Sequence, residues 1–237
     1  MCSSDLQNVT TNDVILRRMT GILLKDVTSS YPDVPQGGFA TTPAMVDIDR
    51  DGWIDVLVGN DFGEHFLLKN EKGQLVKHAS DIGFRPYAHA MGWGAGDFDR
   101  DGLTDLACAD AGPMLLYKQQ KSPGGLKFVD VSEQAGLAAA THDTSSWNPL
   151  VADFDHDGWE DIWLGLSAVA PGGELANVGM AVIPANLPTQ RDVFLHNEHD
   201  GTFQAYAGPK PTDQKVGFAA ISQSLVDLDN DGDLDIV

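Results

Sequence analysis

Two cysteines stand in 237 residues, which excludes a disulfide-stapled framework. No run of about 18 apolar residues occurs, the length that a membrane-crossing helix needs, so this portion holds no membrane span. Cations are scarce: 15 lysines and arginines face 35 aspartates and glutamates, for a formal net charge of −20. Such a chain lacks the basic patches that nucleic acids and anionic membranes require, and nucleic-acid binding is excluded. Catalytic arrangements are equally sparse. Seven histidines (His65, His78, His89, His142, His156, His196 and His199) fit no nucleophile or metal motif. His196 and His199 stand three apart in a turn, without a third ligand in the sequence around them.

The acidic residues that are present form a repeat. Asp47-Ile-Asp-Arg-Asp-Gly-Trp-Ile-Asp55 recurs in spacing at Asp97 to Asp105, Asp153 to Asp161 and Asp227 to Asp235. Aspartate fills positions 1, 3, 5 and 9 each time, and glycine fills position 6 as Gly52, Gly102, Gly158 and Gly232. Ca²⁺ takes six to eight oxygens at about 2.3–2.6 Å, and carboxylates on alternate positions can wrap one such ion if glycine permits the sharp turn. The expected ligands are Asp47, Asp49, Asp51, Trp53 and Asp55 in the first loop, and Asp97, Asp99, Asp101, Leu103 and Asp105 in the second. The third supplies Asp153, Asp155, Asp157, Trp159 and Asp161, and the fourth Asp227, Asp229, Asp231, Asp233 and Asp235. In each set the fourth residue named acts through its backbone oxygen. Mg²⁺ fits less well, because it demands near-ideal octahedral geometry and keeps several waters. About four Ca²⁺ ions, one per loop, would bring the net charge to about −12 and relieve repulsion among the carboxylates. Sixteen of the 35 acidic residues stand at these aspartate positions, so without metal the loops repel themselves.

The flanks identify the kind of loop. An EF-hand carries a bidentate glutamate at position 12 and a helix on either side. Here position 12 is Val58, Cys108 and Leu164 in the first three loops, inside short apolar runs that read as buried strands. Dockerin-like loops would sit closer together and on helices. Apolar runs also enter each loop, at Ala44, Gly94, Leu150 and Ser224, so each loop joins two strands. Two further strands follow: Phe66–Asn70 with Gln74–His78, Leu115–Gln119 with Leu126–Ser132, and Val193–Asn197 with Gly201–Ala205. Turn residues such as Glu71-Lys-Gly separate the members of each pair, as hairpins require.

Each unit thus holds about four strands. The motifs begin 50, 56 and 74 residues apart. Four-stranded units of roughly that period predict an all-β fold, a β-propeller of four-stranded blades. The chain accounts for about three blades plus parts of two others, an incomplete propeller. The long third interval holds an expected inserted loop at about 166–190, rich in alanine, glycine and proline. Cys108 shares its register with Val58 and Leu164, which predicts a small buried strand residue. His89 and Trp93 on an innermost strand, with Trp147 near the same register one blade later, form a candidate ligand pocket along the central channel. His156, at variable position 4 of its loop, is expected to face solvent.

The Asp-x-Asp-x-Asp-Gly-x-x-Asp loops, the strand-ending Asn70 and Asn197, and the outer strands Leu24-Lys-Asp-Val-Thr and Phe128-Val-Asp-Val-Ser-Glu-Gln-Ala-Gly-Leu resemble the FG-GAP/VCBS repeat family. They are most similar to its ASPIC/UnbV and cartilage acidic protein branch. The resemblance covers nearly the whole chain from Gly21 onward. It implies an integrin-α-like propeller, usually of about seven blades, with calcium in the loops between inner strands. It also implies a secreted or surface-attached protein working in adhesion or recognition, with a protein or glycan ligand. Some polysaccharide-cutting lyases use related repeats, so the alternative is the propeller part of a polysaccharide-acting enzyme. The paired carboxylates that such chemistry would use cannot be told by sequence from calcium ligands.

Residues 1–20 read as a leader ahead of a propeller spanning 21–237. A GTG start followed by TGC TCT TCC GAT CT, a string that matches a common sequencing-adapter end, encodes Met1-Cys-Ser-Ser-Asp-Leu6, so these six residues are expected to be a sequencing artefact. Rereading the locus across codon 6 tests that. The segment has no apolar core of about 7–15 residues, the mark of a signal peptide. With the true start expected to be missing, that absence does not bear on secretion.

Overall fold

A computed structural model describes residues 16–18, 24–26, 28–31, 39–142, 144–168, 192–207 and 222–237. Met1–Leu6 and nearly all of the expected insertion lie outside the described residues. Among the described residues, three four-stranded antiparallel sheets and two two-stranded pieces make up the β-structure. A short pair, β1 (Leu16–Arg18) and β2 (Leu24–Asp26), comes first. The first blade is β3 (Ala40–Val46), β4 (Asp55–Asn60), β5 (Phe66–Glu71) and β6 (Gln74–His78). The second is β7 (Ala90–Gly96), β8 (Asp105–Asp110), β9 (Leu115–Gln119) and β10 (Phe128–Asp130). The third is β11 (Thr144–Ala152), β12 (Asp161–Ala168), β13 (Val193–Asn197) and β14 (Phe203–Ala207). A last pair, β15 (Leu225–Val226) and β16 (Asp235–Ile236), carries the fourth loop.

Within each blade the strands pair in chain order. Between blades the first strands come together, with β7 packed against both β3 and β11. Sequential meanders laid side by side on their first strands define propeller blades, and these three do not close a ring among the described residues.

Strand alternation builds the seams. In β8, Leu106 and Cys108 face the first blade and join Ile48, Leu57, Leu67, Trp93 and Tyr117. The intervening Ala107 and Ala109 face the third blade and join Phe98, Ile162, Leu164 and Leu195. A strand buried on both faces reads as a continuous apolar run, which is why Asp105-Leu-Ala-Cys-Ala shows no polar alternation. Cys108 is wholly buried, and burial pushes its thiol well above the ordinary range. Trp93 belongs to this seam rather than to a channel pocket: it is 6% exposed and lies against His65, Phe84 and Tyr117. Trp147 packs likewise on the seam between the second and third blades, whereas His89 is exposed, against Phe62 and Asp61.

Close approach at the seams depends on missing side chains. A Cβ on Gly59 would lie 2.6 Å from that of Ala90 and 2.9 Å from Trp93 Nε1. The β5–β6 hairpin turns through Lys72 and Gly73, both at positive φ (56° and 97°), the geometry of a type I′ turn. The outer strand of the second blade is shorter than the sequence run predicts. After Asp130 the chain turns through Gly136 (φ 80°) into the single-turn helix α1 (Leu137–Thr141). Leu137 there fills the seam, and Thr141 Oγ1 accepts the Met114 amide at 2.8 Å.

Candidate metal centres

Each nine-residue motif links the first strand of a blade to the second, and all four adopt one backbone. Position 6 lies at positive φ in every copy: Gly52 89°, Gly102 88°, Gly158 90° and Gly232 97°. So does position 4, occupied by Arg50 (59°), Arg100 (57°), His156 (60°) and Asn230 (58°), none of them glycine. Two left-handed residues two apart fold the loop tightly around its own carboxylates.

The hydrogen bonds repeat as well. The position 6 amide donates to the position 1 carboxylate in all four loops: Gly52 to Asp47 (2.8 Å), Gly102 to Asp97 (3.0 Å), Gly158 to Asp153 (2.9 Å) and Gly232 to Asp227 (3.2 Å). The position 7 amide donates to the position 5 carboxylate: Trp53 to Asp51, Leu103 to Asp101, Trp159 to Asp157 and Asp233 to Asp231. These bonds hold Asp51 and Asp157 below the usual carboxylate range, chiefly through the amides of Trp53 and Trp159.

Position 9 has a different role. Asp55, Asp105 and Asp161 open the second strands and are 0%, 3% and 1% exposed. Each accepts an amide from the far end of the third strand: Asn70 at 2.7 Å, Gln119 at 2.8 Å and Asn197 at 2.8 Å. Ile48 and Phe154, at position 2, also donate to Asp55 and Asp161. Burial raises all three carboxyls, that of Asp105 to about 7, where the charges of Asp101 and Asp97 add to the effect. Asp235 is exposed and takes the Leu228 amide at 2.9 Å.

Carboxylate oxygens converge in each loop. Asp47, Asp49 and Asp55 offer oxygens within 4.8 Å of one another, as do Asp97, Asp99 and Asp101; Asp153, Asp155 and Asp161; and Asp227, Asp229 and Asp231. In the second loop Asp97 Oδ1 is buried with no protein hydrogen-bond partner. An unpartnered buried carboxylate oxygen beside two further carboxylates fits a cation and is costly without one. These sets can therefore ligate a metal ion. Asp51, Asp105, Asp157 and Asp235 fall outside the three-residue sets of their own loops. Trp53, Leu103, Trp159 and Asp233 follow directly in the turn, tied by their amides.

Two sets of residues around the loops are not evident from the motif. The residue just before each position 9 amide donor lays a basic group on the loop. Lys69 Nζ lies 2.7 Å from Asp49 Oδ2 and 3.2 Å from Asp51 Oδ2, and Lys118 pairs with Asp99. In the third blade that place holds His196, whose Nε2 is 3.1 Å from Asp155 Oδ2. Its sequence signal is the Lys-Asn, Lys-Gln and His-Asn pairs that end the third strands. The second set is position 4, whose left-handed backbone directs its side chain to the following loop. Arg50 reaches Asp97 (3.9 Å), Arg100 lies over the Trp159 ring (5.4 Å) and His156 reaches Asp233 (3.0 Å). His156 is thus exposed, as the sequence predicts, yet joined to the next loop.

Meander blades with an acidic loop after each first strand define a β-propeller of the acidic-loop kind. Residues 47–108 and 97–164 each match the model of the FG-GAP-like repeat, and this stretch of the chain is an FG-GAP-like repeat region. The chain is similar to cartilage acidic protein 1 of Xenopus tropicalis, 27% identical over 186 residues, 77% of this chain and 26% of the relative. It is 31% identical over 106 residues to the Mus musculus and Homo sapiens proteins of the same name, 44% of this chain and 16% and 15% of theirs. The chain thus spans about a quarter or less of the length of these relatives. Among the described residues no helix is long and apolar enough to cross a membrane.

Proposed function

We propose that the chain is a calcium-stabilised, non-catalytic propeller module of a secreted or cell-surface protein, which presents its loops to a protein or glycan partner. One observation carries the reading: four loops hold the same carboxylates on the same backbone, and three of them bury the last carboxylate at the root of a blade. An all-oxygen donor set on a tight loop suits a hard cation, and the number and irregular placement of those oxygens favour Ca²⁺ over Mg²⁺. Positions 1, 3, 5 and 9 are the proposed carboxylate ligands and position 7 the backbone ligand. Calcium bound there would join the first and second strands of a blade, so that binding free energy becomes folding free energy.

Relatives named for cartilage, a tissue largely made of extracellular matrix, support the extracellular placement. A cleft of about 540 Å³ between the first two blades is a candidate contact surface. Lys69, His78, Asp81, Gln119 and Lys121 line it, mixing donors and acceptors as a hydroxyl-rich or peptide ligand needs.

Calorimetric titration of Ca²⁺ into chelator-stripped protein, with Mg²⁺ as control, tests the reading. Near four calcium-preferring sites and a melting temperature that rises with calcium are expected. Absence of saturable calcium binding, or equal melting in calcium and in chelator, overturns it.

A further inference from the structure

The third loop differs from the first two in the cation beside it. In those loops a lysine ammonium, which has no lone pair to offer a metal, rests on the position 3 carboxylate. His196 takes the lysine's place in the third blade, and His199 joins it from the turn that follows β13. His199 Nε2 lies 2.5 Å from Asp157 Oδ2, and His196 Nε2 lies 3.9 Å from the same oxygen. Together the three side chains offer one ligand atom each within 4.8 Å of one another. This set is separate from the Asp153, Asp155 and Asp161 set of the same loop.

The donors are held in place from behind. His196 Nδ1 lies 2.9 Å from Glu198 Oε1 and Nε2 3.1 Å from Asp155 Oδ2; because a carboxylate only accepts, Nδ1 keeps its proton on Glu198, and a metal at Nε2 would take the place of the proton directed at Asp155. A carboxylate on the far nitrogen is the usual support of a metal-bound imidazole. The His199 ring stacks on Trp159, centroids 4.8 Å apart and planes 16° apart. The Trp159 amide occupies Asp157 Oδ1 at 2.8 Å, leaving Oδ2 to face the two imidazoles.

We infer that the third loop carries a second metal site, which takes Zn²⁺ through His196 Nε2, His199 Nε2 and Asp157 Oδ2. Two imidazoles and one carboxylate make a donor set for a borderline transition ion and a poor one for calcium, and three protein ligands leave one tetrahedral position open. Asp155 Oδ2, 3.1 Å from His196 Nε2, is the nearest further donor. The inference goes beyond the calcium reading and does not require it: neither histidine belongs to the proposed calcium set, and Asp157, which does, turns Oδ2 to zinc, so that a filled zinc site leaves the calcium of this loop to Asp153, Asp155 and Asp161.

The test is Zn²⁺ binding by the full chain in saturating Ca²⁺, measured by competition with a chromophoric chelator, with Co²⁺ substitution to read tetrahedral coordination from the visible spectrum. One zinc per chain is expected. His196→Lys restores the lysine of the other loops and should fold with its calcium stoichiometry intact. That variant and His199→Asn are each expected to weaken zinc binding at least a hundredfold. Glu198→Gln is expected to weaken it about 10–100-fold. Zinc that calcium displaces, or zinc bound equally well by both histidine variants, overturns the inference. Histidine-dependent zinc binding without calcium binding would uphold it while the calcium reading fell.

Discussion

The second and fourth loops share aspartate spacing and backbone, with positions 4 and 6 at 57° and 88° in one and 58° and 97° in the other. Their last aspartates nevertheless have opposite surroundings. Asp105 is 3% exposed and holds the end of β9 through the Gln119 amide. Asp235 is exposed, and among the described residues no third strand pairs with β16. The nine residues shape the loop by themselves, whereas the third strand turns position 9 from a solvated carboxylate into a buried tie.

The largest effect should come from cutting that tie. Asp105→Ala strands the Gln119 amide in the interior and removes a proposed ligand, and a loss of about 3 kcal/mol is expected, against under about 1 kcal/mol for Asp235→Ala. Urea unfolding of both variants in calcium excess measures the difference, and equal losses would break the comparison. The seam supporting the buried loops is next. Gly59→Val drives a side chain into Ala90 and Trp93, with an expected cost of about 2–3 kcal/mol from overpacking. Calcium stoichiometry should be retained at temperatures where the variant stays folded.

Acid should reach the blade interior before the fourth loop notices. His65 is fully buried, accepts the Asn60 amide on Nδ1 at 3.2 Å, and is driven by burial down to about 4. A base whose folded pKa lies below its unfolded value contributes stability that is complete above about 6.5 and is lost as pH falls toward the folded value. The His65 contribution should therefore fall by about 1–2 kcal/mol between pH 7 and 5, opposed in metal-free protein by Asp105, whose raised carboxyl takes up its proton in the folded state over the same range. In chelator, His65→Gln should remove that component and shift the slope toward greater stability in acid, and an unchanged slope would assign the acid sensitivity elsewhere. The smallest effect is expected of Arg50→Ala. Its contact with Asp97 is long and exposed, worth under about 0.5 kcal/mol. The informative readout is whether calcium affinity in the second loop rises once the neighbouring charge is gone.

Much of this was legible in residue order. Aspartate at positions 1, 3, 5 and 9 with glycine at 6 predicts the turn, because an amide two to five residues from a carboxylate meets it whatever the rest of the chain does. Strand pairs such as Phe66–Asn70 with Gln74–His78 follow from alternation and turn residues, and the structure places β5 and β6 there. The outer strand of the second blade reads longer than it is, since Val131 and Ser132 continue the run from Leu126, yet after Asp130 the chain fills the seam as turn and helix. Trp93 and Trp147 read as a channel pocket because sequence gives their strand but not which neighbouring blade their faces meet.

The histidine pair marks the same boundary most sharply. Sequence shows His196 and His199 three apart and no third ligand, since the carboxylates they approach, Asp155 and Asp157, lie 41 and 42 residues earlier. Local spacing alone determined the loops, the strands that flank them and the blade repeat, because those depend on bonds between residues a few places apart. Which aspartates are buried, which loop meets a lysine and which meets two imidazoles was decided only when β5, β9 and β13 folded back beside the loops, since pairing across tens of residues depends on how the blades pack.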